Sequence, residues 1–81
     1  MLPDPPSDDA WLQRERRRIG KCIRDARMDH DLTQEQVYLA VPAARSFYQE
    51  IEAGRANPSL EMLLRIARVI GVTISDLLKA S

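Results

Sequence analysis

Between Thr33 and Gly54 the chain must start and stop two helices, and little else in it is so confining. Thr33 and Gln36 stand at the T-x-x-Q spacing of a capping box, in which each side chain satisfies a backbone N–H of the other end. Leu32, just before the cap, can staple onto Val37. Pro42 pushes the residue before it out of the α region, so this helix ends at about Val41 after barely two turns. A further helix follows almost at once, from about Ala44 to Ala53, and Gly54 is a good left-handed stop. Two such short helices cannot be stable alone, so they must be held by longer neighbours.

The neighbours are legible. A first helix runs from about Ser7–Asp9 to Met28, with Asp8 and Asp9 at the positive end of its dipole. Leu12, Ile19, Ile23 and Ala26 form its apolar stripe, with Cys22 on the edge. Asp29-His30-Asp31 breaks it. A fourth helix begins after Asn57-Pro58 with Ser59 as cap and ends at Gly71. Leu60, Leu63, Leu64, Ala67 and Ile70 are read as its inward face. A short fifth helix takes Thr73 or Ser75 as cap and Leu77 and Leu78 as core. No Val/Ile/Thr alternation is long enough for a strand. The expectation is an all-α, compact five-helix bundle over residues 10–81. Residues 1–9, with three prolines and three aspartates, are expected to be a flexible arm.

Composition removes several classes of function. The chain has 81 residues, one domain's worth, with 12 basic and 12 acidic side chains. No apolar run reaches the ~18 residues of a membrane span, and no secretory leader opens the chain, so a cytoplasmic protein is expected. One Cys and one His cannot supply a four-ligand zinc site or a disulfide. Three glycines make no phosphate-cradling loop. Glu50 and Glu52 point in different directions and form no carboxylate dyad, and no nucleophile motif accompanies Asp29-His30-Asp31. No catalysis, metal, cofactor or small-molecule ligand is expected. Cys22 reads as a half-buried filler and His30 as exposed. The zero net charge hides an uneven layout: −3 over residues 1–13, +5 over 14–27 and −2 over 28–81.

Two short helices and a tight turn have the geometry of a helix-turn-helix. On the second of them, at ~100° per residue, Ala44, Phe47, Tyr48 and Ile51 fall on one side. Arg45, Ser46, Gln49, Glu50 and Ala53 fall on the other. Arg pairs with guanine, Gln with adenine, and Glu can accept from cytosine, so the outward face is suited to base edges. A plain amphipathic surface helix would also be polar there.

The stretch from Ile19 to Lys79 resembles the phage-repressor/Cro-like (XRE-type) helix-turn-helix family, whose members have a lambda-repressor-like DNA-binding domain. The resemblance is carried by RDAR at 24–27, LTQEQV at 32–37, RSFYQEIEAGRANPS at 45–59, LEMLLRIARVIGV at 60–72 and ISDLL at 74–78. It implies that Arg45, Ser46, Gln49 and Glu50 read bases. It implies phosphate contacts by Gln34, at the opening of the second helix, and by Arg55 and Asn57, in the loop after the third. Lys21 and Arg24 are the phosphate candidates on the first helix, and Arg14 to Arg18 are read as solvated surface. Arg27 and Glu52 match a partly buried salt bridge between the first and third helices.

Four positions depart from the family pattern. Tyr38 stands where a small residue is usual, Pro42 at the turn glycine, Ala44 at the Ser/Thr cap and Asp31 at the glycine before the second helix. The lost cap costs ~1 kcal/mol. The expected result is a locally altered turn, with Tyr38 pushed outward or repacked on Tyr48. Trp11 and Leu12 are expected to cap the bundle or, as the alternative, to form part of a subunit contact, and Ile74, Leu77 and Leu78 to serve both core and dimer interface. The expected function is that of a sequence-specific DNA-binding transcriptional regulator, a repressor or controller acting as a homodimer on a palindromic operator of double-stranded DNA. The alternative is an antitoxin-like or scaffold interaction module that has lost specific DNA binding.

Overall fold

The computed structural model describes residues 8–79. Five helices follow in order: α1 Asp8–Asp29, α2 Gln34–Ala40, α3 Arg45–Glu52, α4 Leu60–Ile70 and α5 Ile74–Leu77. Most of the expected arm lies outside the described residues; Asp8 and Asp9 already belong to α1. No described helix is long and apolar enough to cross a membrane.

The helix ends form as the side chains dictate. Thr33 closes both halves of its capping box, accepting from the Gln36 N–H at 3.1 Å while the Gln36 side chain accepts from the Thr33 N–H at 2.8 Å. Ser59 and Thr73 cap α4 and α5 through the backbone N–H of Met62 and Asp76. Ala44 makes no side-chain cap, as its methyl requires. Asp31 takes a left-handed φ of 55°, satisfying the turn that a glycine would otherwise fill.

α1 packs on α3 and α5, α2 on α3 and α4, and α4 on α5. The core gathers Ile23, Val37, Val41, Tyr48, Ile51, Ile66, Ala67, Ile70 and Leu77. Tyr48, Ile23, Ile66, Leu77 and Val37 are fully buried, and each of the four aliphatic side chains contributes ~1.5–3 kcal/mol of burial free energy. Tyr38 is half-buried and packs its ring 6.4 Å from that of Tyr48, so the departure from a small residue is absorbed by an aromatic pair. Pro42 sits exposed in the turn, where the Ala43 N–H donates to the Tyr38 carbonyl at 2.7 Å. Arg65, paired with Glu61 at 2.9 Å, reaches the Val41 carbonyl at 3.5 Å and helps to close the end of α2.

Several side-chain placements differ from the sequence reading, among them Ala44, which is exposed. Phe47 is 39 % exposed and not inward. The buried arc of α3 runs through Tyr48, Ile51 and Glu52, because α1 lies against the Glu52 side. On α4 the buried arc is Ile66, Ala67 and Ile70, while Leu60 and Leu64 face solvent at 66 % and 46 % exposure. Leu60 opens its helix with no turn before it, and Leu64 lies beyond the arc that α2 and α5 cover. Trp11 and Leu12 are exposed, at 56 % and 36 %, and lie outside the core. α1 is fixed to the bundle at Arg17 and Arg18, and residues 9–14, its first turns, are exposed. Arg18, read as solvated, donates to the Leu78 carbonyl at 2.8 Å and ties α1 to the end of α5.

The α1–α3 crossing depends on two glycines. A Cβ on Gly20 would stand 2.5 Å from the Glu52 carbonyl oxygen and 2.6 Å from that of Ile51. Gly54, at φ 78°, lies against the Arg17 backbone, with 2.6 Å between a notional Cβ and the Arg17 Cα. Within an isolated helix, Gly20→Ala would stabilise by ~1 kcal/mol. Here backbone meets backbone, so Gly20→Ala is expected to destabilise by ~1–3 kcal/mol. Chemical denaturation reads the sign directly.

Candidate nucleic-acid interface

The centre of the candidate site is an ion pair beneath it. Arg27 Nε and Nη2 donate to the two Glu52 carboxylate oxygens at 2.7 and 3.1 Å, with side chains only 12 % and 4 % exposed. The third donor, Nη1, reaches the Leu32 carbonyl at 2.8 Å, just before the α2 cap. Gln34 Nε2 donates to Glu52 Oε1 at 3.1 Å, and Gln49 Nε2 donates to Gln34 Oε1 at 3.4 Å. One chain of polar contacts thus joins α1, the α2 entry, α2 and α3.

Burial pushes the Glu52 carboxyl up, but the hydrogen bonds from Arg27 and Gln34 and the guanidinium charge outweigh it and hold the group below its ordinary value. The same carboxylate holds the Arg27 guanidinium above its ordinary range. Burial drives the neighbouring Tyr48 phenol strongly upward, so it stays protonated, and its oxygen has no hydrogen-bond partner among the described residues.

The sequence-derived candidates fall into four groups. Arg45 and Ser46 are exposed at the start of α3 and free to reach outward. Gln34 and Gln49 are half-buried and tied to one another, with Gln34 also tied to Glu52, so their amides are pre-positioned by the Arg27–Glu52 pair. Glu50 and Arg55, read separately in the sequence, clasp each other at 2.6 and 3.2 Å across the Gly54 turn. The hydrogen bonds from Arg55 hold the Glu50 carboxyl below the usual carboxylate range. The backbone adds to this clasp: the Arg55 and Ala56 N–H groups both donate to the Glu50 carbonyl, at 2.9 and 3.2 Å. Their spacing of five residues gave no sign of it, because the contact needs the left-handed Gly54 to fold the loop back. Asn57, Lys21 and Arg24 are exposed. Arg24 lines a shallow cavity with Gln34, Gln49, Glu52 and Ala53, which places it beside the α2 entry.

The helix-turn-helix family profile matches residues 23–77. The cryptic phage CTXphi transcriptional repressor RstR of Vibrio cholerae is 36% identical over 59 residues, covering 73% of this chain and 53% of the repressor. Among solved structures, the clp gene regulator ClgR from Corynebacterium glutamicum superposes with a TM-score of 0.77 at 25% identity, covering 94% of this chain and 72% of that one. The restriction–modification controller protein C.AhdI from Aeromonas hydrophila gives a TM-score of 0.73 at 26% identity, covering 84% of this chain and 97% of that one. The chain spans about half or less of the length of several curated relatives that it matches, RstR included.

Removing Arg27 leaves a buried carboxylate without its counter-charge. Arg27→Met is expected to cost ~3–5 kcal/mol, and the double variant Arg27→Met/Glu52→Leu to recover most of it. Because the folded Glu52 is held below its unfolded value of 4.5, its share of stability is full above that pH and is lost as pH falls below it. Denaturation midpoints measured as pH falls through that window should drop steeply in the wild type and less steeply in Glu52→Gln.

Proposed function

The chain belongs to the phage-repressor/Cro-like (XRE-type) helix-turn-helix family, and on that premise we propose that it is a sequence-specific DNA-binding transcriptional regulator. The observation that carries this reading is the outward face of α3, held at a defined angle to α2 by the Arg27–Glu52–Gln34 linkage. Arg45 and Ser46, at the exposed start of α3, enter the major groove, and Gln49 and Glu50 follow along the same face. Gln34 at the α2 N-terminus, Arg55 and Asn57 in the loop after α3, and Lys21 and Arg24 on α1 hold phosphates.

The regulator acts as a homodimer on a palindromic operator, with half-sites ~34 Å apart. Leu77 is wholly inside the core, so from the α5 side only the half-buried Ile74 and Leu78 remain for a partner copy. The regulator acts by occupancy, without catalysis, cofactor or effector ligand. A second reading, as an interaction module without specific DNA binding, draws on the Glu50–Arg55 clasp, which covers part of the reading face with a neutral pair.

Selection of binding sites from a random duplex library separates the two. A palindromic winner bound with steep salt dependence supports the regulator; no enrichment favours the interaction module. On the selected operator, Arg45→Ala is expected to relax discrimination at one base pair by ~1–3 kcal/mol, whereas Arg55→Ala weakens binding to all sequences alike. Competition binding against single-base operator variants measures both. If neither substitution changes operator affinity, this assignment of side chains is wrong.

A further inference from the structure

Most cations on or beside the helix-turn-helix are already paired. Arg27 is bound to Glu52, Arg55 to Glu50 and Arg65 to Glu61, so these three guanidinium groups are already neutralised. Between Met28 and Ser59, Arg45 alone is a basic residue with no ion pair among the described residues. Duplex DNA attracts a protein chiefly through the phosphates that its cations neutralise. A reading face so nearly neutral needs a source of attraction beside it.

α1 supplies one. Arg14, Arg17, Lys21 and Arg24 are all exposed, and none has an ion-pair partner among the described residues. Their spacing of three, four and three residues puts them on one face of the helix. Asp25, at the edge of that face, lines the α5 side with Cys22 and Val72. Glu15 is taken up by Arg18 at 3.0 Å.

Two contacts orient the stripe. Its Arg24 end lies in the cavity shared with Gln34 and Gln49. The Arg17 backbone lies directly against Gly54, the residue before Arg55. The line therefore runs from the α2 entry to the loop that carries Arg55 and Asn57, and Arg14 continues it along the exposed first turns of α1. Arg14 and Arg17 precede residues 23–77, which the family profile matches.

We infer that Arg14 and Arg17 form a phosphate track that binds duplex flanking the operator, independent of its sequence. Lys21 and Arg24 link this track to the helix-turn-helix. The inference rests on the regulator reading above. In this arrangement the α3 face contributes selectivity, and the α1 extension contributes much of the salt-dependent affinity.

The test uses the selected operator, once as the shortest duplex that retains selection and once with scrambled base pairs added at both ends. Wild-type protein should bind the longer duplex several-fold more tightly. The double variant R14Q/R17Q should lose that gain while keeping its base preferences. Its slope of log affinity against log salt should be shallower by ~0.9 per lost contact, ~1.8 for two. R14K/R17K, which keeps both charges, should behave as wild type. The inference is overturned if R14Q/R17Q keeps the wild-type slope and flank gain, or if R14K/R17K loses them equally. A wild type that enriches no duplex at all defeats the regulator reading, and this inference with it; an operator-selective wild type with an inert stripe defeats this inference alone.

Discussion

The arrangement of this fold depends on one buried ion pair. Arg27 and Glu52 lie on different helices, and the guanidinium spends its third donor on the carbonyl before α2. A buried pair of this kind adds little net stability compared with apolar packing, because desolvation of both ions offsets their attraction. What it does add is direction. A guanidinium fork satisfied at three oxygens tolerates few orientations of the elements that carry them. Gln34 and Gln49 extend the same constraint to the surface, so the amides on the outer face inherit their positions from a salt bridge beneath them.

Packing reinforces that geometry from two sides. Gly20 lets α1 approach the α3 carbonyls at a distance that no side chain would permit, and Gly54 meets the Arg17 backbone at the other end of the crossing. On the α2 side the Tyr38 and Tyr48 rings meet with centroids 6.4 Å apart and fill the space between α2 and α3. The turn at Pro42 has no residue of positive φ and so needs no glycine. The uncapped start of α3 is tolerated because the helix is anchored by Tyr48 and Ile51 rather than by its own end.

Charge is arranged on a different principle from shape. Each acidic residue on or beneath the outer face of α3 has an arginine of its own, Arg55 for Glu50 and Arg27 for Glu52. The face is left close to neutral, and uncompensated cations gather on α1. This separation explains how a chain of zero net charge can still present a basic surface.

Much of this was legible in the sequence. The capping box, Pro42, Gly54, Ser59 and Gly71 placed both ends of α2 and α4 and the stop of α3 within a residue or so, because caps and breakers act through local backbone chemistry that neighbours in sequence decide. The Arg27–Glu52 pair was legible only through the family resemblance, since nothing local links two residues so far apart. What the sequence could not decide was which part of each apolar stripe is buried. Phe47, Leu60, Leu64 and Leu12 sit on apolar faces by periodicity, yet stay exposed, because a helix wheel marks a preferred side without saying where its neighbours stop. The Glu50–Arg55 clasp, the tie from Arg18 to Leu78 and the need for glycine at position 20 were equally hidden. Local chemistry determined where helices begin and end; only tertiary structure decided what each side chain meets, since that is set by the distance and angle between elements far apart in the chain.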